Sequence, residues 1–285
     1  MPDAVARFAG FAAEYDAARP QPPAELTTVL MQWSGTTAPD VVDVGAGTGL
    51  SAAIWAGRAR RDTAVEPGAR MRTVALARLG LTQDPAAAQA GDDLAGPVDA
   101  AVPAAGVPTR FAVVAGTAEE TGLPDACADI VTASQAMHWF DAARALPEIA
   151  RILRSGGVFA AYDCDWPPCI DWETDAAYTA FDDRVRELES ARGLLPPHAG
   201  KRHLETLADS GLFRFVSEIA LLSREQGDAS RLADVALSQG GTKALLEAGA
   251  TEDEIGLTAL REVAARTLPT TRPWWWTYRI RMGVR

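Results

Sequence analysis

The chain has 285 residues, 48% of them hydrophobic, and a formal net charge of −11. This length suits one large globular domain, and the acidic balance argues against nucleic acid, whose phosphates call for a basic face. No apolar run reaches the roughly 18 residues of a membrane span and no leader pattern opens the chain, so a cytoplasmic protein is expected, with Cys127, Cys164 and Cys169 as free thiols.

Residues 1–40 read as helical, with Ala4, Phe8 and Phe11 at near-helical spacing and a second helix from Ala24 to Trp33 after the Pro20-Gln21-Pro22-Pro23 turn. Val41-Val42-Asp43-Val44-Gly45-Ala46-Gly47-Thr48-Gly49-Leu50-Ser51 then predicts a buried strand, a tight glycine turn and a helix start. Glycine lets backbone approach a ligand, and a helix start offers free N–H groups and a positive dipole end. A dinucleotide fingerprint wants its third glycine where Leu50 stands, and no phosphate-binding Lys follows, so neither a dinucleotide site nor a P-loop is matched. Arg61 to Val65 predicts a second strand, ending at Glu66-Pro67. An acid about 20 residues beyond such a turn can accept both hydroxyls of a ribose.

Residues 81–109 are rich in Ala, Pro, Gly and Asp without periodicity, and predict an inserted loop. Phe111 to Ala115 is a further strand, followed by Gly116-Thr117-Ala118-Glu119-Glu120, in which Thr117 and Glu120 also fit a helix capping box. Ala128 to Ala133 is a fourth strand, running into the polar, aromatic loop Ser134-Gln135-Ala136-Met137-His138-Trp139-Phe140. Glu148 to Tyr162 predicts a helix, a Gly156-Gly157 cap and a fifth strand. Alternating strands and helices imply a parallel sheet. Beyond it, Asp175 to Ala191 predicts a helix with Tyr178, Phe181, Val185 and Leu188 on one stripe, His203 to Ser210 another helix, and Gly211 to Leu222 a strand. Two or three helices follow, one over Thr251 to Thr267 with a Thr251/Glu254 capping box, and Trp274 to Val284 is the last strand. Cys164 and Cys169 lack a neighbouring His, so no metal is expected.

The run D-x-G-x-G-x-G, the acid at Glu66, the Gly116 to Pro124 stretch and the R-x-L-R-x-G-G of residues 151–157 resemble, in order, the motifs of class I S-adenosylmethionine-dependent methyltransferases. The Gln135 to Phe140 loop and the opening Phe8 to Pro20 resemble the type 11 and trans-aconitate branch, which acts on small molecules. The resemblance implies an α/β, Rossmann-like, doubly wound, mostly parallel seven-stranded sheet with an antiparallel last strand. It implies one domain over 1–285: an N-terminal helical cover (1–40), a cofactor-binding core (41–163) and helical substrate lids (164–202 and 223–270). It places S-adenosylmethionine against Asp43, Gly45, Ala46, Gly47, Glu66, Pro67 and Met71, with Gly116, Thr117, Ala118, Glu119, Ser134 and Gln135 completing the site. Tyr15 and Arg19 would reach the carboxylate end of the cofactor or the substrate.

Methyl transfer needs alignment and exclusion of water, and needs a base only when the nucleophile has a proton to lose. His138 is the candidate base, expected to face the transferred methyl. Trp139, Trp166 and His198 are candidate substrate contacts, and core packing is the rival reading of every Trp. The expected function is methylation of a small molecule, of the secondary-metabolite kind, by a monomer or homodimer that binds neither membrane nor nucleic acid. The rivals are an S-adenosylmethionine-binding enzyme that shapes a cyclisation or rearrangement, and a nicotinamide oxidoreductase.

Overall fold

A computed structural model describes residues 18–81, 108–194 and 202–285. The first expected helix, Tyr15, His198 and nearly all of the 81–109 insertion lie outside the described residues.

The N-terminal part is built of α1 (Glu25–Ser34), β1 (Asp40–Val44), α2 (Leu50–Ala53), β2 (Arg61–Val65), α3 (Ala69–Arg78), β3 (Arg110–Val114), β4 (Ala128–Ser134), α4 (Ala142–Ile152) and β5 (Leu153–Cys164). The remainder is α5 (Trp172–Ala191), α6 (His203–Asp209), β6 (Phe215–Gly227), α7 (Ala229–Leu237), α8 (Gly240–Glu247), α9 (Leu257–Thr267) and β7 (Arg272–Val284). The seven strands form one sheet in the order β3-β2-β1-β4-β5-β7-β6. β1 to β5 pair in parallel, and β7 runs antiparallel between β5 and β6. The expected antiparallel last strand is present, and it is flanked on both sides while β6 takes the sheet edge.

All five residues of β1 are buried, as a central parallel strand covered on both faces requires. β5 shows how period-2 alternation feeds two cores. Val158, Ala160, Tyr162 and Cys164 face one layer, with Leu26 and Leu30 of α1, Tyr178, Phe181 and Val185 of α5, and Trp274, Trp276 and Tyr278 of β7. Phe159 and Ala161 face the other, with Leu146 and Ile149 of α4, Leu207 of α6 and Phe213. Trp274 and Trp276 are therefore core, and Trp275 between them points outward beneath the Arg224 guanidinium.

Three local readings are corrected. Thr117 caps no helix: its N–H and carbonyl bond the carbonyl and N–H of Glu120 across a tight two-residue bridge. Gly156-Gly157 is not a helix cap, because α4 passes straight into extended backbone at Leu153 and the pair lies inside β5. Gly157 is required there because a Cβ would lie 2.9 Å from the Arg154 carbonyl and 3.0 Å from that of Asp129. The Thr251/Glu254 box forms, with Thr251 N–H donating to Glu254 and Glu254 N–H to Thr251 Oγ1, but it organises a turn and the helix starts at Leu257.

Three acids are buried in the β1–β2 pair, Asp40, Asp43 and Asp62, and the last two are raised by burial. Asp43 accepts from Thr132 Oγ1 (2.7 Å) and Ser51 Oγ (3.3 Å), and burial pushes it up to about 7. Asp62 has no hydrogen-bond partner among the described residues, and burial, then the charge of Asp43, raise it well above the ordinary carboxylate range. The native chain therefore holds protons that the unfolded chain releases, so this part of the stability is full at low pH and is lost as pH rises through the raised values. Asp62→Asn removes one such proton. The expected outcome is a flatter decline of melting temperature between about pH 5 and 8, read by differential scanning fluorimetry. An unchanged slope would show that Asp62 folds as a carboxylate.

Candidate active site

The strands β1, β2, β3 and β4 deliver four loops to one edge of the sheet, where a cavity of about 370 Å³ opens. The first loop is the glycine turn. Gly45 N–H and Ala46 N–H both donate to the Val65 carbonyl, at 2.9 and 3.2 Å, which pins the turn to the end of β2. Gly45, Gly47 and Gly49 have φ of 68°, 57° and 76°, the left-handed region that favours glycine. A Cβ on Gly45 would also lie 2.8 Å from Ala136 Cβ, whereas one on Gly47 would meet nothing within 4 Å. Gly45 is thus needed for packing and Gly47 leaves open room in the cavity wall.

Glu66 stands beside it. Its carboxylate accepts from Gly47 N–H at 2.9 Å and Gly68 N–H at 2.7 Å. Burial raises its pKa, and those two N–H groups and Arg72 oppose the rise. Each oxygen keeps a second acceptor position for a ligand.

The third loop carries Thr117, Ala118 and Glu119 to the wall. Glu148 of α4 anchors it by accepting from Thr121 N–H at 3.0 Å, and Arg151 holds Glu148 down to about 2. Glu119 itself is tied by the Asp141 N–H at 2.9 Å. The fourth loop brings Ser134, Gln135, Ala136, Trp139 and Phe140. Gln135 has φ of 52°, uncommon for a residue with a Cβ. Its N–H bonds the Tyr162 carbonyl, its amide donates to Cys164 Sγ, and its Oε1 accepts from Arg19 at 3.4 Å. Arg19 lies over the Trp166 ring, 5.2 Å from its centroid, and closes the cavity from the N-terminal side.

Of the expected contacts, Arg19, Gly45, Ala46, Gly47, Glu66, Pro67, Met71, Thr117, Ala118, Glu119, Ser134, Gln135 and Trp139 all line this cavity. Asp43 does not: it lies one layer beneath and holds Ser51, which does. Gly116 does not either, and is required because a Cβ there would lie 2.9 Å from Val65. Trp166 stands behind Arg19, stacked on Tyr178 and edge-on to Trp276. His138 was expected beside the methyl, but its ring is not on the wall. It lies against Trp139 and faces Asp163 of β5.

The helices expected as substrate lids contribute no described residue to the wall. Their apolar stripes (Tyr178, Phe181 and Val185; Leu232 and Val235; Leu257 and Leu260) are buried in the sheet-face core instead. Sequence reading missed Thr48, Leu50, Ser51, Arg70 and Phe140, whose signal was their position just beyond the same three strands, β1, β2 and β4. Cys164 is buried and Cys169 is exposed, both as free thiols.

Residues 42–161 match the family model Methyltransf_11, described as a methyltransferase domain. An uncharacterised methyltransferase of Mycobacterium tuberculosis is 33% identical over 150 residues, which are 53% of this chain and 49% of that protein. The chain thus spans about half the length of the curated relatives it matches. A structure from Anaeromyxobacter dehalogenans assigned as a type II methyltransferase is 25% identical, with a TM-score of 0.64 over 93% of this chain and 97% of the other. A methyltransferase assigned to an antibiotic biosynthesis pathway in Anabaena variabilis shares the fold at 20% identity, with a TM-score of 0.52 over 90% and 97% of the chains. The glycine turn, Glu66 and the loops after β3 and β4 all fall inside the matched span, so the site lies in the part of this chain, residues 42–161, that is similar to methyltransferase domains.

Proposed function

We propose that the protein binds S-adenosylmethionine in this cavity and transfers its methyl group to a small molecule, of the secondary-metabolite kind. The observation that carries the reading is the Glu66 carboxylate, clamped by Gly47 and Gly68 on the same wall as the open space above Gly47. A nucleoside fits this set. Glu66 accepts the ribose hydroxyls, the backbone at Thr117 and Ala118 meets the adenine edge, and Arg19 offers its guanidinium to a carboxylate.

S-adenosylmethionine supplies, when bound, an electrophilic methyl on a sulfonium centre. The chain's own work is positioning and exclusion of water. Leu50, Met71, Ala136, Trp139 and Phe140 give an apolar wall, and holding two reactants in line can lower a barrier by about 7–11 kcal/mol. The ionisable residues on the described wall are Arg19, Glu66, Arg70 and Glu119. Glu66 and Glu119 are already engaged by backbone N–H groups. Proximity therefore does most of the work, which favours a nucleophile that is ionised or only weakly bound to its proton. The mostly apolar cavity and the net charge of −11 favour a small substrate over a nucleic acid. No helix among the described residues is long and apolar enough to cross a membrane.

Two expected outcomes test this. Glu66→Ala removes charged acceptors worth about 1.5–3 kcal/mol, so calorimetry should show S-adenosylmethionine binding weakened about 10- to 150-fold. In the wild type the affinity falls as pH drops through the raised Glu66 value, because the protonated acid has lost acceptor capacity, and Glu66→Gln abolishes that dependence. Equal affinity of wild type and Glu66→Ala overturns the ribose assignment, and binding of a nicotinamide dinucleotide instead points to the oxidoreductase.

Trp139→Ala opens the wall on the substrate side. A rise of about 2- to 12-fold in KM for substrate is expected from the lost aromatic contact, with cofactor affinity little changed. The assay reads S-adenosylhomocysteine release. Conversion of substrate without that product identifies the non-methylating rival.

A further inference from the structure

Three side chains from three separate elements meet behind Trp139. His138 sits in the 3-10 turn Met137–Trp139, Asp163 is the penultimate residue of β5, and His203 opens α6. His138 Nδ1 is 3.8 Å from Asp163 Oδ1, and His203 Nε2 is 3.4 Å from Asp163 Oδ2. One ligand atom from each lies within 4.8 Å of the others. The two imidazoles face each other at 20°, with centroids 6.4 Å apart. Asp163 and His203 are buried, and His138 is partly open to solvent.

These separations exceed ordinary hydrogen-bond lengths. Each is near the roughly 3.4 Å edge of a tetrahedron whose metal–ligand bonds are about 2.0–2.1 Å, but they reach different oxygens of Asp163, so the three donors, now within 4.8 Å of one another, would draw together around an ion. His203 Nε2 has no hydrogen-bond partner among the described residues, and a buried ring nitrogen needs one. Two imidazoles and one carboxylate suit zinc and its divalent neighbours, with a fourth position left for water.

The surrounding charge permits a cation. Arg281 donates to Asp163 Oδ2 at 3.1 Å, but its Nε also donates to Glu218 Oε2 at 2.6 Å, so its charge is shared with a second acid. Asp163 retains lone pairs beyond the one given to Arg281. Arg281 then acts as an outer partner that fixes the carboxylate, the usual support of a metal ligand.

We propose that His138, Asp163 and His203 form a site for one divalent transition-metal ion of the zinc class. The ion ties the turn carrying Trp139 to the end of β5 and to α6, and so braces the substrate wall from behind. This proposal does not depend on methyl transfer.

The test uses the full chain, free of any histidine tag and stripped with a chelator, titrated with Co²⁺ and then Zn²⁺. The expected result is uptake of one Co²⁺ per chain with visible bands of tetrahedral intensity, displaced by Zn²⁺. His203→Gln, shown folded by circular dichroism, should lose affinity by more than the roughly 10- to 100-fold that outer-partner changes cost. X-ray absorption on the wild-type zinc form should show imidazole and oxygen ligands, and this reading stands even if the variant does not fold. No stoichiometric uptake by the wild type, uptake unchanged in His203→Gln, or sulfur in the ligand shell each overturns the proposal. The first result would leave the trio as a metal-free polar network, and the third would move the ion to a cysteine.

Discussion

The Val65 carbonyl receives two backbone N–H groups, from Gly45 and Ala46, and the geometry of the cavity follows from that junction. It forces the chain leaving β1 to lean onto the end of β2 before it can enter α2. Glycine takes the left-handed backbone this needs at least cost, and at Gly45 the neighbouring Ala136 leaves no room for a Cβ. The same lean brings the Gly47 N–H onto the Glu66 carboxylate. One wall of the cavity is thus a backbone surface whose donors are spent on the protein's own acid, and that acid, held in place, faces the ligand space.

Beneath this wall lies a buried polar layer. Asp43 takes hydroxyls from Thr132 and Ser51, and Ser51 also meets the Tyr162 hydroxyl. Burial raises both Asp43 and Tyr162, so each favours its neutral form. This layer joins β1, α2, β4 and β5 in one network and locks Ser51 at the cavity floor. Its contribution to the site is rigidity, since a hydroxyl with two fixed partners has little freedom to turn.

The two faces of the sheet carry different work. The face with α1, α5, α7, α8 and α9 is a deep aromatic core, holding Trp274, Trp276, Tyr178 and Phe181. Through Trp166 it supports the guanidinium of Arg19. The face with α4 and α6 is anchored by ions. Arg154 joins Asp40 and Asp129 at the strand starts, and Arg151 secures Glu148, which holds the third loop. The two arginines of the R-x-L-R run are therefore structural: Arg151, on α4, sets a loop position, and Arg154, near the start of β5, ties the starts of β1 and β4.

The sequence alone determined the strand–turn–strand–acid order, because it is local: the glycine spacing, the apolar runs and Glu66 lie within about one βαβ unit. It also determined the parallel sheet and the stripe of α5, since periodicity reports which face is buried. Three things were decided only in the tertiary structure. The apolar stripes of the described helices in 164–202 and 223–270 were seated on the sheet-face core, where they leave water. The imidazole of His138 turned from the cavity toward Asp163, a partner 25 residues on, which itself meets His203 and Arg281. And Asp43 sank beneath the wall it was expected to form, because side chains alternate along a strand and the residue that points toward the ligand is chosen by the turn that follows it.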